Sequence, residues 1–262
     1  MKIKFLGTGA ADWPNPGKSV GAGRRFSSLV LDDRILIDCG PMTLDAIDEF
    51  NVDVHALDAI LIGHPHGDHF NLDVICQIAK RRDASAKPIV LYIDAEAAKN
   101  RCGVPDDLAD RLLVKGFLPL ECLQVGDYAI NTYPASHPIG IPGELACHFI
   151  IKSPTNETML YGLDGSWFPP TTWHAIQKAK LDVIVWELTC GNLDDWRLGE
   201  HSNFGMLKIM ANAFKNDGAI QKHTKMFCSH LARTLCPSHD IYARELDTFG
   251  FTLAKDGMEW TS

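Results

Sequence analysis

The sequence predicts an α/β fold, a four-layer αββα sandwich in which two sheets lie between two layers of helices. Strand-like segments rich in β-branched residues occur in both halves of the 262-residue chain, and amphipathic segments with a period near 3.6 accompany them. Neither a linker nor an internal repeat interrupts the pattern. We therefore expect a single domain over residues 1–262.

The individual elements follow from the hydrophobic pattern in chain order. Strands are expected at 3–7, 27–33 and 34–40, and the pair Asp32–Asp33 indicates a hairpin between the last two. Later strands are expected near 59–62, 88–92, 127–133, 145–152, 157–162, 182–187, 224–228 and 250–260. Helices are expected near 41–50, 71–82, 94–102, 106–112, 170–179, 202–215 and 238–248.

Charge and composition restrict the class of function. The net charge is −8 and no lysine- or arginine-rich run occurs, so a small or buried substrate fits better than a nucleic acid. The chain contains no apolar span of ~20 residues, and its N-terminus enters a strand pattern rather than a signal peptide. We expect no membrane partner and a cytoplasmic protein. The eight cysteines are scattered without a C-x-x-C pair, which is typical of reduced thiols.

The strongest chemical signal is the stretch ILIGHPHGDHFNLD at 60–73. It places His64, His66, Asp68 and His69 within six positions, between an apolar strand and an amphipathic helix. Burying such a group costs several kcal/mol unless a cation compensates the carboxylate. Imidazole nitrogen combined with carboxylate oxygen favours Zn²⁺, Mn²⁺ or Fe²⁺. The first two histidines point to one side and the other two residues converge nearby, which predicts two divalent transition-metal ions about 3.5–4 Å apart.

H-x-H-x-D-H after a short strand resembles the signature of the metallo-β-lactamase superfamily. His137 in YPASHPIG, Asp164 in MLYGLDGSW and His230 in KMFCSHLART resemble the remaining metal ligands, in the order that this family uses. Asp164 resembles the aspartate that bridges both ions. Asp38 in LIDCG resembles an aspartate that orients a ligand imidazole by accepting its other N–H. The resemblance spans residues 3–260 and implies a dinuclear metal-dependent hydrolase.

His201 lies in LGEHSNFGMLKIM, where a loop enters a predicted helix that Ser202 or Asn203 caps. Phosphodiester-cleaving members of the superfamily resemble this stretch. WELTCG, SHLARTLCPSH and FTLAKDGMEW further resemble the branch that contains phosphoribosyl 1,2-cyclic phosphate phosphodiesterase. The resemblance implies hydrolysis of a small cyclic phosphate or phosphodiester by a metal-bridged hydroxide, with His201 as general acid and Asp68 as a ligand that is also catalytic.

One feature departs from that branch. Its members often carry a cysteine-rich insertion after the first strand that, with a histidine three positions past the last ligand, holds a structural zinc. This chain has ADWPNPGKSVGAG and Arg233 in those places, so we expect no third, structural metal. The remaining histidines are expected at surface or helix-end positions: His55, His148, His174, His223 and His239.

The segment 8–26 is too long for a simple turn, which indicates a functional loop that walls a pocket. Arg24 and Arg25 at its end are candidate contacts to a substrate phosphate, although a solvated basic pair explains them equally well. Three aromatic residues in loops look exposed and either line a nucleobase or sugar pocket or pack a homodimer contact: Trp13, Trp167 and Phe168.

Three other functions stay open on the sequence. Lactone or thioester hydrolysis uses the same motif but needs no acid resembling His201. RNA 3′-end processing shares the metal set and a His-Ser pair before a helix, but the acidic charge and the lack of a long Gly/Pro- or Lys-rich arm argue against it. A non-catalytic metal- or ligand-binding scaffold would be free to lose ligands, and this chain keeps the complete set.

Overall fold

The computed structural model describes residues 1–14 and 23–262, so part of the predicted 8–26 loop lies outside the described residues. The chain divides into two compact units, each built on one mixed sheet of seven strands. The first unit comprises residues 1–118, 139–145 and 255–262, and the second comprises 119–138 and 146–254. The prediction of one domain over 1–262 stays a prediction.

The first unit combines its sheet with three helices. The strands are β1 (Lys2–Gly7), β2 (Ser28–Leu31), β3 (Ile35–Ile37), β4 (Ala59–Leu61), β5 (Ile89–Asp94), β6 (Leu112–Phe117) and β14 (Glu259–Thr261). The helices are α1 (Thr43–Glu49), α2 (Leu72–Arg81) and α3 (Ala95–Arg101), with a 3₁₀ turn at Asp106–Leu108. The strand order is β14-β1-β2-β3-β4-β5-β6, antiparallel up to β3 and parallel from β3 to β6.

The second unit repeats this plan with its own sheet and helices. The strands are β7 (Cys122–Val125), β8 (Tyr128–Pro134), β9 (Cys147–Lys152), β10 (Thr158–Gly162), β11 (Leu181–Glu187), β12 (Ile220–Ser229) and β13 (Phe251–Leu253). The helices are α4 (Pro170–Lys178), α5 (Phe204–Asn216) and α6 (His239–Asp247), with a 3₁₀ turn at Trp196–Gly199. The strand order is β13-β12-β11-β10-β9-β8-β7, parallel from β13 to β10 and antiparallel from β10 to β7.

Two helices begin at asparagine N-caps that lie two residues after candidate site residues. The Asn71 side chain accepts a hydrogen bond from the Val74 N–H at 3.0 Å and starts α2. The Asn203 side chain accepts from the Met206 N–H at 2.9 Å and starts α5, as expected from the sequence. Each cap satisfies one of the backbone donors that a helix N-terminus leaves free, so a helix begins three residues after His69 and three residues after His201.

Each unit has its own apolar core. In the second unit the rings of Trp186 and Phe214 stack with centroids 6.3 Å apart, and Phe204 packs edge-on against Phe251 at 5.5 Å. Burial of each such aromatic side chain contributes about 1.5–3 kcal/mol, which holds α5 against its sheet and keeps the strand ends in place.

The α/β class and most predicted elements are confirmed, including the hairpin at Asp32–Asp33, where both residues adopt positive φ angles of 50° and 56°. The helix expected at 106–112 is wrong. Only the short 3₁₀ turn forms there, and Leu112–Phe117 pairs with β5 as the parallel strand β6. The expected strand at 250–260 is two strands, β13 and β14, which belong to different units.

Two side chains expected at the surface are buried. His148 is 1% exposed because it lies on β9, which is covered on both faces and paired with β8 and β10. Phe168 is 7% exposed and packs its ring against those of Trp186 and His148. The other non-ligand histidines are exposed or lie at a helix end, as expected. Within the described residues, no helix is both long and apolar enough to cross a membrane.

Candidate active site

The first unit places four candidate ligands on the turn between β4 and α2. His64 follows the end of β4 by three residues, and the backbone carbonyl of His66 accepts hydrogen bonds from the N–H groups of His69 and Phe70 at 3.0 and 2.9 Å. This turn brings the rings together, with centroids 4.7 Å apart for His64 and His66 and 4.2 Å for His64 and His69. The predicted motif therefore forms one compact donor set.

Asp38 holds the ring of His69 from the neighbouring strand end. Its Oδ2 lies 2.8 Å from His69 Nδ1, and its Oδ1 accepts the Gly63 N–H at 2.8 Å. Both side chains are fully buried, and Asp38 adopts a positive φ of 59° just after β3. Because β3 and β4 are parallel, their carboxyl ends meet at one edge of the sheet. The role predicted for Asp38, orienting a ligand imidazole, has the required geometry.

The second unit places three candidate ligands at strand ends. Asp164 follows β10, His137 follows β8 and His230 follows β12 directly. Asp164 Oδ1 lies 3.1 Å from His230 Nε2, and Asp164 Oδ2 lies 4.0 Å from His137 Nε2. The two oxygens of one carboxylate thus face two different histidines.

The Nδ1 atoms of these histidines are already engaged. His137 Nδ1 lies 3.0 Å from the Glu200 carbonyl oxygen, and His230 Nδ1 lies 2.7 Å from the Thr189 hydroxyl. The carbonyl can only accept, so His137 donates its proton from Nδ1. The same holds for His69 with the Asp38 carboxylate. In their neutral forms the rings of His69 and His137 then present the lone pair of Nε2.

The donor chemistry fits metal ions. His69 Nε2 lies 3.3 Å from an oxygen of Asp68, just as the Nε2 atoms of the second unit face Asp164. In a neutral ring with its proton on Nδ1, the Nε2 nitrogen and the facing carboxylate are both acceptors, and a cation between them would stabilise such a buried pair. A histidine that binds a metal through Nε2 is usually held in place by a hydrogen bond from its Nδ1–H.

His201 lies beside this group but is bound differently. Its ring centroid is 5.0 Å from that of His137 and 5.6 Å from that of His230. Its Nδ1 lies 2.6 Å from Glu187 Oε1, and the other oxygen of Glu187 accepts the Ser202 N–H at 2.6 Å. Burial lowers the pKa of His201, but the charge and hydrogen bond of Glu187 outweigh it and raise the pKa to about 9. The imidazolium form is therefore favoured at neutral pH.

Comparison with solved structures agrees with this architecture. The metallo-β-lactamase fold protein YhfI from Bacillus subtilis is 19% identical, with a TM-score of 0.75 over 99% of both chains. A diphosphatase of the PhnP family is 18% identical, with a TM-score of 0.75 over 100% of this chain and 97% of that one. Zinc-bound PqqB from Methylobacterium extorquens is 15% identical, with a TM-score of 0.75 over 100% of both chains. This chain has the metallo-β-lactamase fold.

The predicted αββα fold class is thereby confirmed. At the level of sequence, the model of a family described as "Anti-Pycsar protein Apyc1" matches residues 1–100, which include the His64–His69 turn. No curated protein sequence matches the chain. The matched region covers the first donor set of the metallo-β-lactamase fold but not His137, Asp164, His201 or His230.

Sequence reasoning missed two residues that support the second donor set. Glu187 is the last residue of β11, is 2% exposed, and contacts both the His201 ring and the N–H of the next residue, Ser202. The Thr189 hydroxyl contacts Glu187 and His230, which links the two histidines. Both residues lie in WELTCG, a stretch that carried only a family resemblance and no assigned role.

Arg24 and Arg25 lie in the first unit and are largely buried, at 8% and 4% exposure. Arg24 bonds the Thr8 hydroxyl, and Arg25 pairs with Glu49 and lies 4.0 Å from the Asp256 carboxylate. They are not the solvated basic pair that the sequence allowed. Their contact with a substrate phosphate stays a prediction.

His148 is a third buried imidazole near Asp164, besides His137 and His230. Burial lowers its pKa to about 3, although the Asp164 charge raises it, so the ring is neutral at pH 7. A Cβ atom at Gly165 would lie 3.1 Å from this ring, which explains a glycine directly after Asp164. His148 thus shapes the turn that carries the aspartate.

Proposed function

We propose that this chain is a metal-dependent phosphodiesterase that hydrolyses a small cyclic phosphate, with cyclic nucleotides and phosphoribosyl cyclic phosphates as the substrate class. One observation carries the proposal. The Nε2 atom of His230 faces the Asp164 carboxylate, and beside it lies the imidazole of His201, whose Nδ1 is held by Glu187. The match of residues 1–100 to the Anti-Pycsar Apyc1 family supports the cyclic nucleotide side of this class.

Seven side chains would hold two divalent transition-metal ions, zinc, manganese or iron: His64, His66, Asp68, His69, His137, Asp164 and His230. Asp164 suits a shared ligand because its two oxygens face different histidines. When bound, two such ions would polarise the phosphoryl group as Lewis acids and would lower the pKa of a water nucleophile.

His201 supplies the proton in the proposed reaction. A water molecule releases one proton to solvent as its oxygen bonds to phosphorus, the bond from phosphorus to the leaving oxygen breaks, and the Nε2–H of imidazolium His201 protonates that oxygen as it leaves. His201 then regains a proton from solvent. Glu187 keeps the ring charged and in place through Nδ1. General acid catalysis of this kind typically contributes 10²–10⁴-fold and is needed most for a poor, alkoxide-like leaving group.

Lactone hydrolysis remains the main competing function, because it uses the same metal donors. A lactone also expels an alkoxide, so the charged His201–Glu187 pair would serve either reaction. The match of residues 1–100 to the Anti-Pycsar Apyc1 family is what favours the phosphodiesterase. RNA 3′-end processing is less well supported because the chain carries a net charge of −8.

The test combines metal analysis with a substrate panel. The chain is stripped with a chelator, reloaded with zinc, manganese or iron, and assayed on cyclic nucleotides, a phosphoribosyl cyclic phosphate, lactones and a precursor tRNA. We expect close to two ions per chain and fastest turnover of a cyclic phosphate. A metal content near one, or lactones or tRNA turned over faster than every cyclic phosphate, would contradict the proposal.

A further inference from the structure

A partly buried ion pair in the first unit contacts the backbone between two candidate ligands. Arg101, the last residue of α3, donates from its NH1 nitrogen to the carbonyl oxygen of Pro65 at 3.0 Å. Pro65 stands between His64 and His66. The Nε of the same guanidinium donates to one carboxylate oxygen of Glu144 at 3.1 Å, and its NH2 nitrogen lies 2.7 Å from the other oxygen as an ion pair.

The pair is more than a surface salt bridge. The Glu144 side chain is fully buried and that of Arg101 is 28% exposed, and Asn100 also donates to Glu144 at 3.2 Å. Arginine offers five donors in a rigid planar fork, so its contact with both oxygens of the carboxylate fixes the direction in which the remaining N–H group points. That direction is toward the Pro65 carbonyl.

Glu144 itself belongs to a separate stretch of chain, 139–145, which is attached to both ends of α3. The Leu145 N–H donates to Asp94, the N-cap of α3, while Glu144 binds Asn100 and Arg101 at the other end. This stretch begins two residues after His137. One ion pair thus joins the carbonyl between His64 and His66 to a segment that follows a third candidate ligand.

We propose that Arg101 and Glu144 are positioning residues for the ion held by His64 and His66. This inference rests on the proposed two-ion site. Outer partners that orient metal ligands typically change metal affinity by 10–100-fold when removed. The ion held by Asp68 and His69 depends instead on Asp38, which bonds His69 directly. Loss of the Arg101 bond should therefore lower the affinity for one ion and leave the affinity for the other unchanged.

The experiment measures stepwise zinc affinity of the chelator-stripped full chain against a competing chromophoric chelator. We expect Arg101→Gln to keep one ion at wild-type affinity and to bind the other 10–100-fold more weakly. The affinity of Arg101→Lys for that second ion should lie between those of the wild type and Arg101→Gln. An ammonium keeps the charge but cannot contact Pro65 and both carboxylate oxygens in the same geometry. Glu144→Gln should weaken the same ion, because it keeps the shape but removes the charge that aligns Arg101.

Lys99→Gln is the matched control. Lys99 lies on the same helix and pairs with Glu96 at 2.5 Å, but both side chains are exposed, so its removal should leave both affinities unchanged. Thermal unfolding of the metal-free proteins separates positioning from folding, since a purely structural role lowers their stability and weakens both ions alike. If Arg101→Gln does not fold, Arg101→Lys and Glu144→Gln decide the question.

Three results would overturn the inference. If the Arg101 and Glu144 variants bind both ions as the wild type does, the inference fails while the proposed function stands. If these variants lose affinity equally for both ions, the inference also fails while the proposed function stands. If the wild-type chain itself holds fewer than two ions, the proposed function fails and the inference fails with it.

Discussion

The donors of the first unit lie within six consecutive residues, whereas those of the second unit follow β8, β10 and β12 and span residues 137–230. The supporting groups differ as well. His69 is oriented by the Asp38 carboxylate at 2.8 Å, while His230 is oriented by the Thr189 hydroxyl at 2.7 Å. The first set is therefore a local motif in which a charged carboxylate orients a histidine. The second set is assembled by the sheet, and a neutral hydroxyl orients its histidine.

The two sets also share a backbone device. Asp38 and His230 each follow a strand directly and each adopts a φ of 59°, a left-handed conformation that non-glycine residues rarely occupy. Such strain persists only where surrounding contacts determine it, and it is common at functional sites. The comparison suggests which variants should affect one set more than the other.

The largest effect is expected from the carboxylate that faces two histidines. Asp164→Ala should leave at most one tightly held ion and lower kcat/KM by roughly 10³-fold or more, since both oxygens are lost from His137 and His230. Asp68→Ala, which removes the oxygen that faces His69, should cost less. Metal analysis with steady-state kinetics checks both. Equal metal loss in the two variants would show that the donor sets are equivalent.

The next effect concerns chemistry rather than metal binding. His201→Ala should keep full metal occupancy and lower kcat by about 10²-fold or more on a substrate with an alkoxide-like leaving group. The loss should shrink with an activated phenolate, which departs without a proton. Parallel kinetics on both substrate types, with metal analysis, test this. A general acid role is ruled out if both substrates slow equally or if an ion is lost.

A smaller effect compares the charged and neutral supports. Asp38→Asn should weaken zinc binding by about 10–100-fold, because a charge-assisted hydrogen bond to His69 is replaced by a neutral one. Thr189→Val should cost less, because the bond it removes from His230 is neutral. Competition titrations with zinc give both affinities. The reverse order would mean that the contact of Thr189 with Glu187 matters more than the one with His230.

The smallest effect is on stability. Asn71→Ala and Asn203→Ala each remove a helix N-cap, which costs about 0.5–2 kcal/mol of the free energy of unfolding. Asn203→Ala should cost more, because Asn203 also donates to Leu193 and Asp194 at 3.2 and 2.9 Å. Urea denaturation measures the difference. The Asn71→Ser and Asn203→Ser variants keep a cap acceptor and serve as controls, and only Asn203→Ser should remain destabilised.

The sequence by itself determined the first donor set. His64 to His69 lie between a strand and an amphipathic helix, and a short turn brings neighbours in sequence together whatever the rest of the chain does. The hairpin at Asp32–Asp33 was predictable for the same reason. Helices with strong periodicity, such as α2 and α5, were predictable, and Asn203 was one of the two cap residues expected for α5, because these signals also act within a few residues.

Only the tertiary structure decided the rest. Leu112–Phe117 is a strand because β5 offers it a parallel partner, and His148 is buried because β9 is covered on both faces. Glu187 acts on His201 fourteen residues away, and Thr189 acts on His230 forty-one residues away. The residues next to a carboxylate or hydroxyl at a strand end do not indicate its partner. The partner depends on which strand ends the sheet places at the same edge.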